Sequence, residues 1–292
     1  MTRLWLSRLA HLARFRLAVV LLALVTLLVV APTAMIALSG GDGSRTCSIR
    51  AEDGSYQDRL SPSADHWFGT DAQGCDVFSQ VVFGARPSLL IGVGSGLVMA
   101  VIGTLFGVVA AARGGWVDSL VRRIGDVTLG IPFVVGAILL LSVLAGDQRS
   151  PIELVIALSL LGWPGTARIA RGAARTVLVQ PYIESARAAG AGTPYVVRRH
   201  VLPNAMPSVV AYSSLSAGAL IAAESTLTYL GIGLQVPTIS WGLMIEQGQR
   251  SYGQTPHLII FPALFLTATV AAFVLLGDAL RDSLDAQVEV TS

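Results

Sequence analysis

Six blocks of apolar residues, each long enough to cross a bilayer, constrain this chain more than any other feature. About 30 Å of hydrocarbon takes roughly 17–25 helical residues. Such blocks occur near 17–38, 88–112, 125–146, 151–167, 207–230 and 258–277. The apolar residues run continuously rather than in stripes of period 2 or 3.6, which is the pattern of membrane spans. Composition agrees, with 53% hydrophobic and 13% charged residues, about half the charged share of a soluble domain. Mean hydropathy is +0.67. The expected fold is all-α, a polytopic membrane bundle of about six helices. The fourth block is the shortest, because Trp163-Pro164-Gly165 should distort its end. Arg3, Arg8, Arg14 and Arg16 precede the first block as in a signal peptide, but its length of 22 residues exceeds the roughly 7–15 of a signal core. A retained anchor is expected.

All 20 basic residues are arginine. A chain without lysine has no P-loop and no lysine Schiff base, since both chemistries need the amine. A net charge of +2 gives no reason to expect nucleic acid. There is no Cys-x-x-Cys, His-Glu-x-x-His or Gly-x-Ser-x-Gly, and the histidines are scattered, so no metal site or hydrolase elbow is expected. The arginines instead report topology. With the N-terminus inside, fourteen fall in cytoplasmic segments and six outside, which places both termini in the cytoplasm. The polar stretch 39–87 then lies outside and the basic stretch 168–206 inside. The expected division is an anchor with outer excursion over 1–87, a core over 88–285 containing that inner loop, and a tail over 286–292. Cys47 and Cys75 share the outer excursion, where an oxidising compartment permits a bridge. Spacing alone leaves open a disulfide or two separate thiols.

Within the inner loop, Gln180 to Asn204 is punctuated as two short helices. Pro181 suits a first helical position and Gly190 the stop after Ala189. A second helix should start with Thr193 as cap and Pro194 next, and end before Pro203. Ser185, Ala186, Ala188 and Ala189 are small enough for another protein to approach closely, with Glu184 and Arg187 at the rim. Glu184-Ser185-Ala186, then Gly190, then Val201-Leu202-Pro203 resembles the Glu-Ala-Ala loop of ABC-importer permeases, with Ser185 for the middle alanine.

Three further stretches narrow the resemblance. Gly69-Thr70-Asp71, Gly74-Cys75-Asp76, Ser79 and Gly84-Ala85-Arg86-Pro87-Ser88-Leu89 resemble a signature of dipeptide, oligopeptide and nickel permeases, with Cys75 where that pattern usually has arginine. Glu224-Ser225, Leu230-Gly231, Gly233, Pro237 and Ser240-Trp241-Gly242 are similar to the second, C-type permease of those systems. Gly277 to Asp285 also fits, so the resemblance covers roughly 66–285. It implies a type I permease fold and a subunit of a peptide importer in the bacterial cytoplasmic membrane, working by alternating access. It implies no catalytic residue and no cofactor in this chain, with ATP and Mg bound by one or two separate ATPase subunits. Those subunits would dock on a coupling helix of Glu184, Ser185, Ala186, Arg187, Ala188, Ala189 and Gly190, followed by Leu202 and Pro203. A second permease subunit and an extracytoplasmic substrate-binding protein complete the implied partners, the latter faced by Asp71, Asp76 and Trp241. Peptide is favoured over nickel because no intramembrane His/Cys cluster suggests metal handling.

Other residues carry alternatives. Gly92, Gly96, Gly103 and Gly107 share one helical face, which suits close packing inside the bundle or against a sister permease. Glu224 lies inside the fifth block, where a carboxylate faces a translocation path or bonds a neighbouring helix. Pro132 suits a kink in the third block. An ion-coupled carrier would need more intramembrane charge or internal repeats, and a membrane enzyme a polar cluster at one depth; neither pattern is present.

Overall fold

The computed structural model describes residues 56–144 and 150–291 without a gap, together with Cys47 and scattered positions between 16 and 30. The expected first span lies mostly outside the described residues; the positions described within it are helical. The named helices are α1 Val77–Arg113, α2 Gly115–Gly130, α3 Phe133–Leu144, α4 Pro151–Leu178, α5 Pro181–Ala188, α6 Thr193–Val196, α7 Leu202–Tyr229, α8 Trp241–Gln249 and α9 His257–Thr291. A π turn, Val197–Val201, joins α6 to α7. Among the described residues there is no strand, only an isolated bridge between Thr70 and Asp76.

Four helical segments are long and apolar enough to span a membrane, and α2 with α3 makes a fifth if that pair is one span. The third expected span is therefore corrected: the chain bends by 95° between α2 and α3. Pro132 lacks an N–H and its ring clashes with the carbonyl one turn back, so the break falls where helix continuation is most costly. The second span starts at Val77, eleven residues before the expected 88. Asp76 caps it, its carboxylate accepting from Ser79 N at 2.8 Å, which satisfies one orphan donor of the first turn.

The fourth span does not stop at 167. α4 runs through Pro164 to Leu178, because tertiary packing holds the distorted turn. A Cβ on Gly165 would collide with the Tyr212 hydroxyl, and one on Gly125 would lie 3.3 Å from Pro164. The second short helix of the inner loop does not end before Pro203 either. It passes through the π turn, where Leu202 N bonds Val197 O, directly into α7. One extra residue in that turn widens the helix where the Pro203 ring needs room.

The glycine face of α1 is spent inside the bundle. A Cβ on Gly96 would sit 3.4 Å from Ala217 Cβ of α7, and one on Gly103 only 2.5 Å from Thr166 Cβ of α4. Gly92 meets Ile221 of α7, and Gly107 meets Ala167 of α4, equally closely. Two glycines thus admit each neighbour, with α1 parallel to α4 and antiparallel to α7. α9 packs along the other side of α7, where a Cβ on Gly277 would lie 2.9 Å from Leu215.

Candidate functional site

At the arginine-rich end of the bundle, α5 buries one side chain fully in the rest of the chain. Seven of its eight residues are polar, small or exposed, but Ile183 has no exposed surface. It enters an apolar cluster of Val108 from α1, Ala174 and Val177 from α4, and Val196 and Val201 from the following turns. Burying an isoleucine is worth roughly 1.5–3 kcal/mol, enough to seat a helix too short to be stable alone. Around this anchor, Glu184, Ser185, Arg187, Ala188, Ala189 and Gly190 are all exposed, and Ala186 is half-buried.

The end of α5 is a built stop. Gly190 N donates to Arg187 O at 2.9 Å and Ala191 N to Ala186 O at 3.0 Å, the pair of bonds that closes a Schellman motif. Gly190 has φ +92, a conformation that a side chain disfavours. The result is a short rigid knob between two long helices. Leu202 and Pro203 lie at the base of α7, not on the knob; Leu202 packs against the same apolar cluster.

The opposite end carries a polar cavity of about 610 Å³ between the 71–80 stretch and the 228–258 stretch. Its lining includes Asp71, Gln73, Gln80, Gln235, Glu246 and Arg250. Asp71 is oriented by its own turn: Oδ1 accepts from Gln73 N at 2.7 Å and Cys75 N at 2.9 Å, and Oδ2 from Gln80 Nε2 at 2.6 Å. Arg250 donates to Glu246 at 3.2 Å. Asp76 does not line the cavity; besides capping α1, it meets His66 Nδ1 at 3.2 Å. Cys47 and Cys75 are joined in a disulfide, which ties Cys47 to the residue just before that cap.

Trp241 requires a correction. It is fully buried, with Nε1 donating to Val81 O at 2.9 Å, so it presents no surface to a binding protein. It is a core residue that fixes α8 against α1. Glu224 is likewise enclosed. Its carboxylate accepts from Thr228 Oγ1 at 2.9 Å, Ser240 Oγ at 3.2 Å and Ser225 Oγ at 3.3 Å, and Ser88 of α1 also bonds it. Of its two alternatives, the observed role is bonding between helices.

A second cavity, about 570 Å³ and almost wholly apolar, runs between α1 and α7. Thr104 and Ser213 line it, and neither hydroxyl has a partner among the described residues. Among the described residues no group of His, Cys, Asp or Glu is arranged to hold a metal. Sequence reading missed the pinning role of Ile183, although a lone large apolar residue in a short polar helix is a legible signal. It also missed an ion cluster in which the buried Asp118 of α2 binds Arg171 and Arg175 of α4. Those partners are more than fifty residues apart, with no local pattern to announce them.

Comparison with known proteins gives consistent results. Residues 103–290 match the family described as "Binding-protein-dependent transport system inner membrane component". The chain is 41% identical over 231 residues to the dipeptide transport system permease protein DppC of Bacillus subtilis (strain 168), covering 78% of this chain and 71% of that one. It is 38% identical over 234 residues to the glutathione transport system permease protein GsiD of Pectobacterium atrosepticum, covering 80% and 77%. Among solved structures, a chain of the inward-facing MetNI methionine ABC transporter superposes with TM-score 0.56 at 22% identity, covering 70% of this chain and 95% of that one. At that identity the likeness concerns the fold, which is that of a type I importer permease.

Proposed function

Because the chain belongs to the family of binding-protein-dependent transport system inner membrane components, a multi-pass ABC-importer permease, we propose that it carries di- or oligopeptides, or a similar small solute, across the bacterial cytoplasmic membrane by alternating access. The observation that carries this reading is the pinned knob. Its exposed face bears Glu184 to Gly190, and its root, Ile183, touches the ends of α1, α4 and the helix leading into α7. A partner that pushes on α5 therefore pushes on three long helices together.

The proposed power source is a pair of ATPase sites on separate subunits, with ATP and Mg bound there and none in this chain. ATP-driven closure of those subunits moves α5, and the spans reorient around a path shared with a second permease subunit. The apolar cavity between α1 and α7 supplies this chain's part of that shared surface. With both termini in the cytoplasm, α5 faces the ATPases. The cavity at the opposite end, with Asp71 on its rim, then faces the substrate-binding protein. The peptide assignment draws on the two relatives, one named for dipeptides and the other for glutathione.

Copurification with a tagged full-length chain tests the reading. The expected companions are one other permease and one or two ATPase subunits, with labelled dipeptide taken up only when ATP is supplied. Uphill uptake by this chain reconstituted alone would overturn it.

A further inference from the structure

α2 has two faces of opposite character. Trp116, Leu120, Ile124, Val127 and Ile131 are all exposed, between 42% and 76%. At 100° per residue they fall within an arc of about 80°. Asp118, Arg122, Gly125 and Asp126 occupy the other side and turn toward α4. Such a helix lies in the plane of a membrane interface, with its apolar stripe among the acyl chains. Its 95° angle to α3 allows that placement while α3 enters the bilayer.

Under the polar face is a pocket of about 180 Å³, with Arg122, Arg168, Arg171 and Asp126 above Trp163 and Pro164. Asp118, which is buried, is shared by Arg171, by Arg175 at 2.9 Å and by Arg122 at 3.4 Å. Asp126 meets Arg168, at 3.3 Å. Four arginines thus converge on two carboxylates, and both Arg122 and Arg168 keep more than half of their side-chain surface exposed. The excess positive charge lies on the α4 side of α2, about 120° around the helix from Trp116 at the edge of the apolar stripe. Basic pockets between spanning helices are suited to anionic lipid headgroups.

We propose that α2 and the second half of α4 form a binding site for an anionic phospholipid, with the phosphate held by Arg122 and Arg168 and the acyl chains along the α2 stripe. Arg171 serves mainly to lock α2 onto α4 through Asp118. The orientation given above places this site in the inner leaflet, but the binding itself needs only an anionic lipid beside α2. In vesicles with phosphatidylglycerol in both leaflets, failure of this site and failure of the topology are therefore distinguishable.

The test uses the complete transporter assembly in nanodiscs of pure phosphatidylcholine or with phosphatidylglycerol added, and native mass spectrometry to count retained lipid. Phosphatidylglycerol should be retained over phosphatidylcholine, and the double variant Arg122→Gln, Arg168→Gln should bind it at least about tenfold more weakly. Arg281→Gln, on α9 and away from the pocket, should have no effect. As a readout independent of those variants, brominated phosphatidylglycerol should quench a part of the tryptophan fluorescence that Trp116→Phe removes. Equal retention by the double variant would overturn the proposal. So would competition by inorganic phosphate at the same concentration as the lipid, which would make the site one for free anion. Absence of both retained lipid and Trp116 quenching in the assembly would show that a protein partner covers this face, and would overturn it equally.

Discussion

Ile183 and Glu184 are adjacent in the chain, yet the first has no exposed surface and the second stands in the open. That contrast makes α5 a lever rather than a loop. The side chain that anchors the helix and the side chain offered to a partner leave one short rigid element about 100° apart.

Ile183→Ala should loosen the lever without unfolding the bundle. Truncating a buried isoleucine costs about 2–5 kcal/mol, and Ile183 is the one fully buried residue of α5. Hydrogen exchange over residues 181–190 should accelerate at least tenfold, while exchange in the middle of α1 and α4 stays slow. Unchanged protection of α5 would show that the pin is not Ile183.

The glycine face of α1 predicts a sharp contrast between two alanine substitutions. Gly103→Ala places a methyl 2.5 Å from Thr166 Cβ and 2.8 Å from the Ala167 nitrogen, whereas Gly172→Ala on α4 meets nothing within 4 Å. Overpacking of this kind costs about 1–3 kcal/mol. A helical glycine exchanged for alanine in open space gains roughly 0.5–1 kcal/mol. Thermal unfolding of the detergent-solubilised chain should fall for the first variant and hold or rise for the second. Equal effects would mean that α1 and α4 are not in close contact.

Glu224 predicts an ordering of three proteins. Glu224→Gln keeps one acceptor for the hydroxyls of Thr228, Ser240, Ser225 and Ser88, whereas Glu224→Leu removes both and leaves buried hydroxyls to find other partners. Each unsatisfied buried group costs about 1–3 kcal/mol. The melting temperature should therefore fall in the order wild type, Gln, Leu. A leucine variant as stable as wild type would show that the cluster contributes no net stability.

Much of this architecture was legible in the sequence, for reasons that are local. Span positions follow from apolar runs, and Pro181 with Gly190 marks α5 to within one residue. The kink at Pro132 was also readable. Failures came where tertiary contact overrides a local rule. Pro164 and Pro203 read as helix ends, but Tyr212 packing and a π turn carry the helices through both. Trp241 was expected to face a binding protein because the resemblance of its stretch implied it; only the fold shows α1 packed against it. The ion cluster at Asp118 and the cavity beside Asp71 join segments distant in sequence, and no single window contains either.

Uptake by the complete reconstituted assembly carrying Glu184→Arg tests the central claim most directly. The substitution reverses the charge on an exposed side chain with no hydrogen bond or ion pair among the described residues, so insertion and assembly of the spans should be retained. ATP-driven uptake of dipeptide should fall at least tenfold, together with the stimulation of ATPase activity by the loaded binding protein. Uptake at the wild-type rate, with Glu184→Arg present in every assembled complex, would contradict a coupling role for α5.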